Sequence, residues 1–213
     1  MKVLFLFLVI TTFIFARANA QYLYTDIKQR AKTLIFKENF DSNTNNWLLH
    51  DIEEELIQIE NGYYLYTSRD GEPKLNTLSI PFDKSKNFEI EMSIKFVNGE
   101  DNNANGLTWG ADGNKENRFR FSISGDGQYR VDKYFNQEWV NFVKWTMSPL
   151  IKKNDFNILT VRKFKTEYIF FINQEYVFSM PYDDVFGNLC GIHCNRNTTI
   201  HVDYLYVNYY KSK

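Results

Sequence analysis

The chain has 213 residues, of which 24% are charged and 17% aromatic, and its formal net charge at pH 7 is −1. Proteins that bind the phosphate backbone of nucleic acids carry a basic excess, so this balance argues against nucleic acid as a partner. The 19 Phe and 14 Tyr residues can fill a broad hydrophobic core, and Tyr or Trp also suits a hydrated binding surface.

The first 20 residues are typical of a secretory signal peptide. Lys2 gives a positive start, residues 3–15 are apolar, and Ala18 and Ala20 place small side chains at the recognition positions. The apolar run is shorter than the roughly 20 residues that span a bilayer, which favours cleavage over an uncleaved membrane anchor. Cleavage would remove Lys2, Arg17 and no acid, so the charge of −1 would fall by two to −3. We expect a secreted or extracytoplasmic protein (periplasm or cell envelope in a bacterium) without a membrane span after signal removal.

A polar lead-in over residues 21–33 precedes a succession of short strands from residue 34 to 210, which we predict to form one domain. The clearest strand is Phe88–Phe96, in which apolar residues alternate with Glu89, Glu91 and other polar residues that should face solvent. Asn61-Gly62 predicts a hairpin turn. Ten or more strands with short turns predict an all-β fold, a two-sheet antiparallel β-sandwich of jelly-roll type. Further strands are predicted at Leu56–Glu60, Tyr63–Thr67, Phe119–Ser124, Tyr129–Phe135, Phe156–Lys163, Tyr168–Ile172, Tyr176–Met180 and Ile200–Tyr209.

The hairpin around Gly125-Asp126-Gly127 allows a prediction of register. A two-residue turn would place the apolar residues of the two strands on opposite faces, whereas a three-residue loop pairs Phe121 with Val131. The outer face would then carry three cross-strand pairs, namely Arg120 with Asp132, Arg118 with Tyr134, and Ser122 with Arg130.

The chain has two cysteines, Cys190 and Cys194. If residues 189–194 form one strand, four steps of about 3.3 Å place their α-carbons about 13 Å apart, which exceeds the limit of about 7 Å for a disulfide. We expect two buried free thiols. His193 would point to the opposite face, which argues against a metal site formed with the cysteines.

The order of these motifs resembles the concanavalin A-like lectin/glucanase superfamily, which includes laminin-G-like and glucanase jelly rolls. The resemblance covers residues 34–209, and one departure is Asn173-Gln174, where relatives have Asn-Gly and a residue with positive φ is favoured. The motifs that carry it are IFKENFDSNTNNW, IENGYYLY, NRFRFSISGDGQYRVDKY, IKKNDFNILTVRK, YIFFINQEYVF and IHVDYLYV.

The resemblance implies either sugar binding or sugar hydrolysis. Glucanases of this superfamily use paired carboxylates in a pattern like E-x-D-x-x-E. The nearest match is Glu89-Ile90-Glu91-Met92-Ser93-Ile94-Lys95, which lacks the second catalytic carboxylate, so we expect a non-catalytic member. The resemblance also implies a structural calcium ion near the joined chain ends, with Asp203 and Asp41 as ligands. The alternative for Asp203 is a strand aspartate satisfied by its neighbours, and no cofactor is required for binding.

A sugar site needs flat apolar surface and planar hydrogen-bonding groups. Each candidate has a simpler interpretation: Arg120–Asp132 as a cross-strand ion pair, and Arg118–Tyr134 as a cation–π contact. Trp109 alternates with Leu107, which favours core packing. The candidate ligand-binding residues are Arg118, Arg120, Arg130, Asp132, Tyr134, Trp109 and Trp139.

The leading hypothesis is a secreted lectin-like module that binds carbohydrate through one sheet face without catalysis. One alternative is a glycoside hydrolase that acts on modified sugars, like the keto-glycoside hydrolases that share this fold. The other is a structural or adhesive envelope protein. Asn197-Thr198-Thr199 fits an N-glycosylation sequon, which has meaning in a eukaryotic secretory pathway.

Overall fold

The computed structural model describes residues 31–81 and 83–211, and their regular elements are all β-strands. No helix that could cross a bilayer occurs among these residues. The predicted signal peptide lies outside the described residues. In chain order the strands are β1 (Lys32–Glu38), β2 (His50–Asp51), β3 (Glu55–Glu60), β4 (Tyr63–Ser68), β5 (Lys74–Ser79), β6 (Phe88–Gly99), β7 (Asn105–Ala111), β8 (Arg118–Ile123), β9 (Gln128–Phe135), β10 (Glu138–Met147), β11 (Asn157–Phe164), β12 (Glu167–Ile172), β13 (Glu175–Pro181), β14 (Leu189–Cys194) and β15 (Thr198–Tyr210).

The strands form two antiparallel sheets, as predicted for a jelly-roll sandwich. A nine-stranded sheet has the order β13-β12-β11-β6-β15-β4-β3-β2, and β1 pairs with the second half of β15. A six-stranded sheet has the order β10-β9-β8-β7-β14-β5. Both sheets contribute alternate side chains to one hydrophobic core, such as Ile90 and Met92 from β6 and Phe119 and Phe121 from β8.

Two tight turns confirm the turn chemistry read from the sequence. Asn61 and Gly62 connect β3 and β4 with φ values of 53° and 77°. Asn173 and Gln174 connect β12 and β13 with φ values of 52° and 70°. Positive φ at both central residues is the geometry that matches the twist of paired strands. Gln174 therefore occupies a conformation that a β-carbon disfavours.

The predicted register of the β8–β9 hairpin is confirmed. Phe121 pairs with Val131, while Arg120 pairs with Asp132 on the opposite face. Ser124 donates its backbone N–H to the carbonyl of Gln128 at 2.9 Å, which closes the three-residue loop.

The cysteine prediction is also confirmed. Cys190 and Cys194 are free and buried on β14, and both belong to the core. Burial raises the pKa of each thiol to about 12.

The prediction of solvent-facing acids on β6 is wrong for Glu89. Its residue exposure is 2%, because the Arg162 side chain and the Lys32 ammonium lie over the outer face of the nine-stranded sheet. Glu91 is half-buried and accepts a hydrogen bond from the Tyr204 hydroxyl at 3.0 Å. Alternation identified the face on which these acids lie, but the face is covered by side chains from β1, β11 and β15.

Candidate functional site

The outer face of the six-stranded sheet carries most of the predicted ligand-binding residues. On β8 and β9, Phe119, Phe121 and Val131 enter the core, so the intervening residues must point away from it. We call this surface the Arg–Trp face and define it by Arg118, Arg120, Arg130, Asp132, Tyr134, Trp139 and Trp145.

A buried ion-pair network forms the floor of the Arg–Trp face. Asp132 has a residue exposure of 0% and accepts two hydrogen bonds from Arg120, from Nε at 2.9 Å and from a terminal nitrogen at 3.2 Å. The Nε of Arg130 lies 2.8 Å from the second Asp132 oxygen. A two-point guanidinium–carboxylate contact fixes the planes of both groups. The predicted cross-strand pair is therefore present and fixes the orientation of Arg120.

Aromatic rings lie above this floor. The guanidinium of Arg120 lies 3.7 Å from the Trp139 ring centroid, and the Tyr134 ring is 4.7 Å from that of Trp139. Arg118 lies 4.8 Å from the Tyr134 ring, which confirms the cation–π contact. Trp139 nevertheless remains 43% exposed. An indole held in place by a guanidinium and a second ring, yet open to solvent, is a flat apolar surface of the kind a sugar ring contacts.

Trp145 belongs to the same face, although the sequence analysis did not single it out. Its ring centroid lies 4.9 Å from the guanidinium of Arg130. Two register irregularities interrupt the pairing of β10 with β9, and the consecutive residues Phe142 and Val143 both pack against the core. These irregularities remove the two-residue period from the sequence of β10. In the sequence, Trp145 could have been identified because it follows Trp139 closely after an arginine-rich hairpin.

His193 lies on β14, and its side chain reaches across Gly106 of β7 to β8 on the same face of the sheet. Its ring nitrogens are 2.9 Å from the Ser122 hydroxyl and 3.1 Å from that of Thr108, and all three residues are buried. The prediction that His193 points away from the cysteines is confirmed. Burial, followed by the charges of Arg120, Arg130 and Arg118, lowers the pKa of His193 well below its ordinary value. The ring is therefore neutral at pH 7 and contributes hydrogen bonds instead of charge.

Trp109 does not belong to the site. It is fully buried in the core, where its ring stacks on Phe119 at 5.4 Å and meets the edges of neighbouring rings. Its inclusion among the ligand-binding candidates was wrong, because the alternation on β7 directs it inward together with Leu107.

The strands of the six-stranded sheet carry few acids. Asp132 is the carboxylate on the Arg–Trp face, and the other acid within these strands is Glu138, at the start of β10. Hydrolysis of a glycosidic bond uses two carboxylates on either side of that bond. The strands of this sheet therefore do not offer such a pair on their outer face.

Two carboxylates that are close in sequence, Glu89 and Glu91, lie on β6 of the nine-stranded sheet. Burial opposes ionisation of Glu89, but the charges of Arg162 and Lys32 outweigh it and lower the pKa of that carboxyl. Burial and the Glu89 charge raise the pKa of Glu91. Opposite shifts are a property of acid–base pairs in hydrolases. Glu89, however, is covered by Arg162, Lys32 and Tyr210, which form ion pairs or hydrogen bonds with its carboxylate.

Both predicted calcium ligands, Asp41 and Asp203, are among the described residues. Asp41 is exposed and Asp203 half-buried, and the charges of both raise the pKa of Tyr206, after the larger effect of burial. Among the described residues there is no group of three or more His, Cys, Asp or Glu that could hold a metal ion. Nearby Glu38 accepts hydrogen bonds from the backbone of Phe40 and the indole of Trp47. Two carboxylates are a small share of the six to eight oxygens that calcium takes, and calcium binding here stays a prediction.

Three surface cavities, with volumes of about 450, 240 and 220 Å³, lie elsewhere on the described structure. The largest of these three is lined by Lys86, Asn87, Tyr209, Lys211 and their neighbours, near the ends of β1 and β15. None of the three contains a residue of the Arg–Trp face. That face is considered a site because of its side chains.

No protein-family model matches the chain, and no curated protein matches it in sequence. Solved structures do match its fold. The carbohydrate-binding module CBM66 from Bacillus subtilis is 14% identical with a TM-score of 0.55, over 84% of this chain and 95% of that one. The catalytic domain of an endo-1,3-beta-glucanase (laminarinase) from Thermotoga petrophila RKU-1 is 12% identical with a TM-score of 0.56, over 86% of this chain and 100% of that one.

A protein of unknown function with a galectin-like fold from Bacillus subtilis is 10% identical with a TM-score of 0.64, over 86% of this chain and 99% of that one. At such low identity these likenesses show the fold alone, and an argument about function must come from the side chains of this chain. The chain therefore has the two-sheet antiparallel jelly-roll fold of the concanavalin A-like sandwiches, a fold that carbohydrate-binding modules and glucanases share.

Proposed function

We propose that this protein binds carbohydrate through the Arg–Trp face and does not cleave it. The observation that carries the proposal is Trp139, which is 43% exposed although its ring contacts the Arg120 guanidinium and the Tyr134 ring. Exposing a large aromatic ring is unfavourable in isolation, and an exposed ring that is held in place provides a prepared surface for the apolar face of a sugar.

Polar groups beside the ring complete the proposed site. The guanidinium groups of Arg118 and Arg130 lie 5.4 and 5.9 Å from the Trp139 ring centroid, and guanidinium groups donate several hydrogen bonds in one plane. Trp145 adds a second ring beside Arg130. This combination of flat apolar surface and oriented donors is what recognition of a sugar requires.

The competing function is hydrolysis of a modified sugar. Its support is that a glucanase has the same fold. The outer face of the six-stranded sheet supports binding better, because its strands place one carboxylate, Asp132, on that face, and Asp132 is buried under two arginines. A hydrolase would need a second acid beside the glycosidic bond.

The proposed setting is extracytoplasmic, in keeping with the predicted signal peptide, and the proposed ligand is a glycan of a cell surface or matrix. A glycan array probed with the purified protein, with and without a chelator, tests the proposal. Binding that weakens about tenfold or more in the Trp139→Ala variant is the expected result. Binding that is unchanged by this substitution would contradict the site, and release of new reducing ends from a bound glycan would favour the hydrolase. If the wild-type protein binds without the chelator and loses binding when the chelator is added, the result would support the predicted calcium ion.

A further inference from the structure

Positive charge is in excess on the Arg–Trp face. The face has three arginines, Arg118, Arg120 and Arg130, and one carboxylate, that of Asp132, which pairs with Arg120 and Arg130. Arg120 engages both oxygens of Asp132 and is itself buried. Its charge is therefore balanced within the fold and is shielded from a ligand.

The other two arginines are less completely balanced. Among the described residues, Arg118 makes no ion pair with a carboxylate; it donates a hydrogen bond to the backbone carbonyl of Lys115 and lies against the Tyr134 ring. Arg130 shares Asp132 with Arg120, and its side chain is 22% exposed. Both arginines can therefore be reached from solvent while they lack a carboxylate of their own.

Their electrostatic environment is consistent with this imbalance. Burial, and then the Arg120 charge, lowers the pKa of Arg118. Burial also lowers the pKa of Arg130, and the Arg120 charge opposes the favourable effect of Asp132. Like charges crowded in a partly desolvated place disfavour each other, and an anionic ligand would relieve that repulsion.

The two accessible guanidiniums lie near one ring. Their central carbons are 5.4 Å (Arg118) and 5.9 Å (Arg130) from the Trp139 ring centroid. A sugar ring stacked on Trp139 would bring its substituents within reach of both. Guanidinium groups form paired hydrogen bonds with the oxygens of carboxylate and phosphate-like anions, which are stronger than those with neutral hydroxyls.

We propose that the ligand of the Arg–Trp face is an anionic glycan, whose carboxylate or sulfate group accepts hydrogen bonds from Arg118 and Arg130 while its ring stacks on Trp139. This inference rests on the glycan-binding function proposed above and names the chemical class of the glycan. The anion belongs to a uronic acid or to a sulfate ester, which share the acceptor chemistry.

Three polysaccharide probes separate these sources: a polyuronate, a sulfated dextran and unmodified dextran, titrated into protein purified from cells that express the full chain. We expect at least one anionic probe to bind, and to bind tighter than the neutral one. Arg118→Gln and Arg130→Gln should each weaken that binding about tenfold, as expected for loss of a charged hydrogen bond. Raising the salt concentration should weaken binding in the wild type more than in these variants.

Arg196→Gln is the matched control. It removes the same charge from an exposed arginine outside the face, whose partner Glu100 lies 3.8 Å away, and should leave binding unchanged. Arg118→Lys keeps the charge but not the planar donors, and we expect partial recovery. Thermal unfolding of each variant shows whether a loss of binding reflects loss of the fold.

Three outcomes would overturn the inference, and the first of them leaves the proposed function standing. If only neutral glycans bind, with loss in Trp139→Ala but not in the arginine variants, the binding site stands and the anionic class is wrong. If no glycan binds, on the array or among the probes, both are wrong. Equal loss in Arg118→Gln and Arg196→Gln would show a non-specific charge effect and would also contradict the inference.

Discussion

Replacing Trp139 by alanine should abolish most of the affinity for glycan, with a smaller loss of stability than replacement of a core tryptophan. The ring is 43% exposed, and a tryptophan has on the order of 250 Å² of surface to bury, so roughly 100 Å² is open to a ligand. At about 25 cal/mol per Å², a sugar that covers half of that area gains about 1.3 kcal/mol. This corresponds to roughly a tenfold change in dissociation constant, and more if a second sugar ring extends along the indole.

The effect on folding should be smaller than for a core tryptophan, because 43% of the residue is already exposed. Its main intramolecular contact is with Arg120, at 3.7 Å, and such cation–π contacts contribute about 0.5–1 kcal/mol at exposed sites. Arg120 keeps both hydrogen bonds to Asp132. A little over half of the residue is buried in the fold, so the free energy of unfolding should fall by roughly 2 kcal/mol, about half of what loss of a fully buried tryptophan costs.

Isothermal titration calorimetry with a glycan that binds the wild type measures the affinity, and urea unfolding measures the stability. Phe135→Ala is the control, since Phe135 is 39% exposed at the end of β9 and stacks on Phe186 instead of the arginines. The reasoning is refuted if Trp139→Ala binds like the wild type, or if Phe135→Ala loses as much affinity.

Three further predictions concern the fold and its pH dependence. Arg162→Ala should lower the free energy of unfolding by about 3–5 kcal/mol, because it leaves the buried Glu89 without its main counter-charge. A loss below about 1 kcal/mol, measured by urea unfolding, would contradict a buried Arg162–Glu89 ion pair. Stability should fall as pH drops below 6.5, the ordinary pKa of histidine, by up to about 1.4 kcal/mol per pH unit for His193. The lowered pKa in the folded state means that protonation favours unfolding. His193→Gln should flatten this dependence in unfolding measured from pH 7 to 5, and an unchanged slope would rule His193 out as its source. Trp109→Ala should cost about 3–5 kcal/mol of stability in the same urea assay, and a loss as small as that expected for Trp139→Ala would contradict its place in the core.

Alternation and turn chemistry predicted much of the sandwich. The β8–β9 register followed from requiring Phe121 and Val131 to share a face, and the structure has that pairing. The Asn61-Gly62 turn followed from its preference for positive φ. Both are local features, in which the residues that decide the geometry lie close together in the chain.

Features that depend on distant segments were missed. Glu89 was predicted to face solvent, yet Lys32 from β1 and Arg162 from β11 lie over it, and no local pattern indicates which strands will become neighbours. The bulged β10 lacks a regular period, so Trp145 was not recognised. Trp109 was included with the site residues because residue type alone does not distinguish an indole in the core from one on a surface.

The central claim is that glycan contacts the Arg–Trp face, and the four tryptophans of the chain provide a direct test. Trp47 and Trp109 are buried in the core, while Trp139 and Trp145 lie on the face. In NMR spectra of ¹⁵N-labelled protein, assigned with single-tryptophan variants, the indole N–H signals of Trp139 and Trp145 should shift as glycan is added, and those of Trp47 and Trp109 should stay. Saturable binding that leaves Trp139 and Trp145 unmoved would contradict the account.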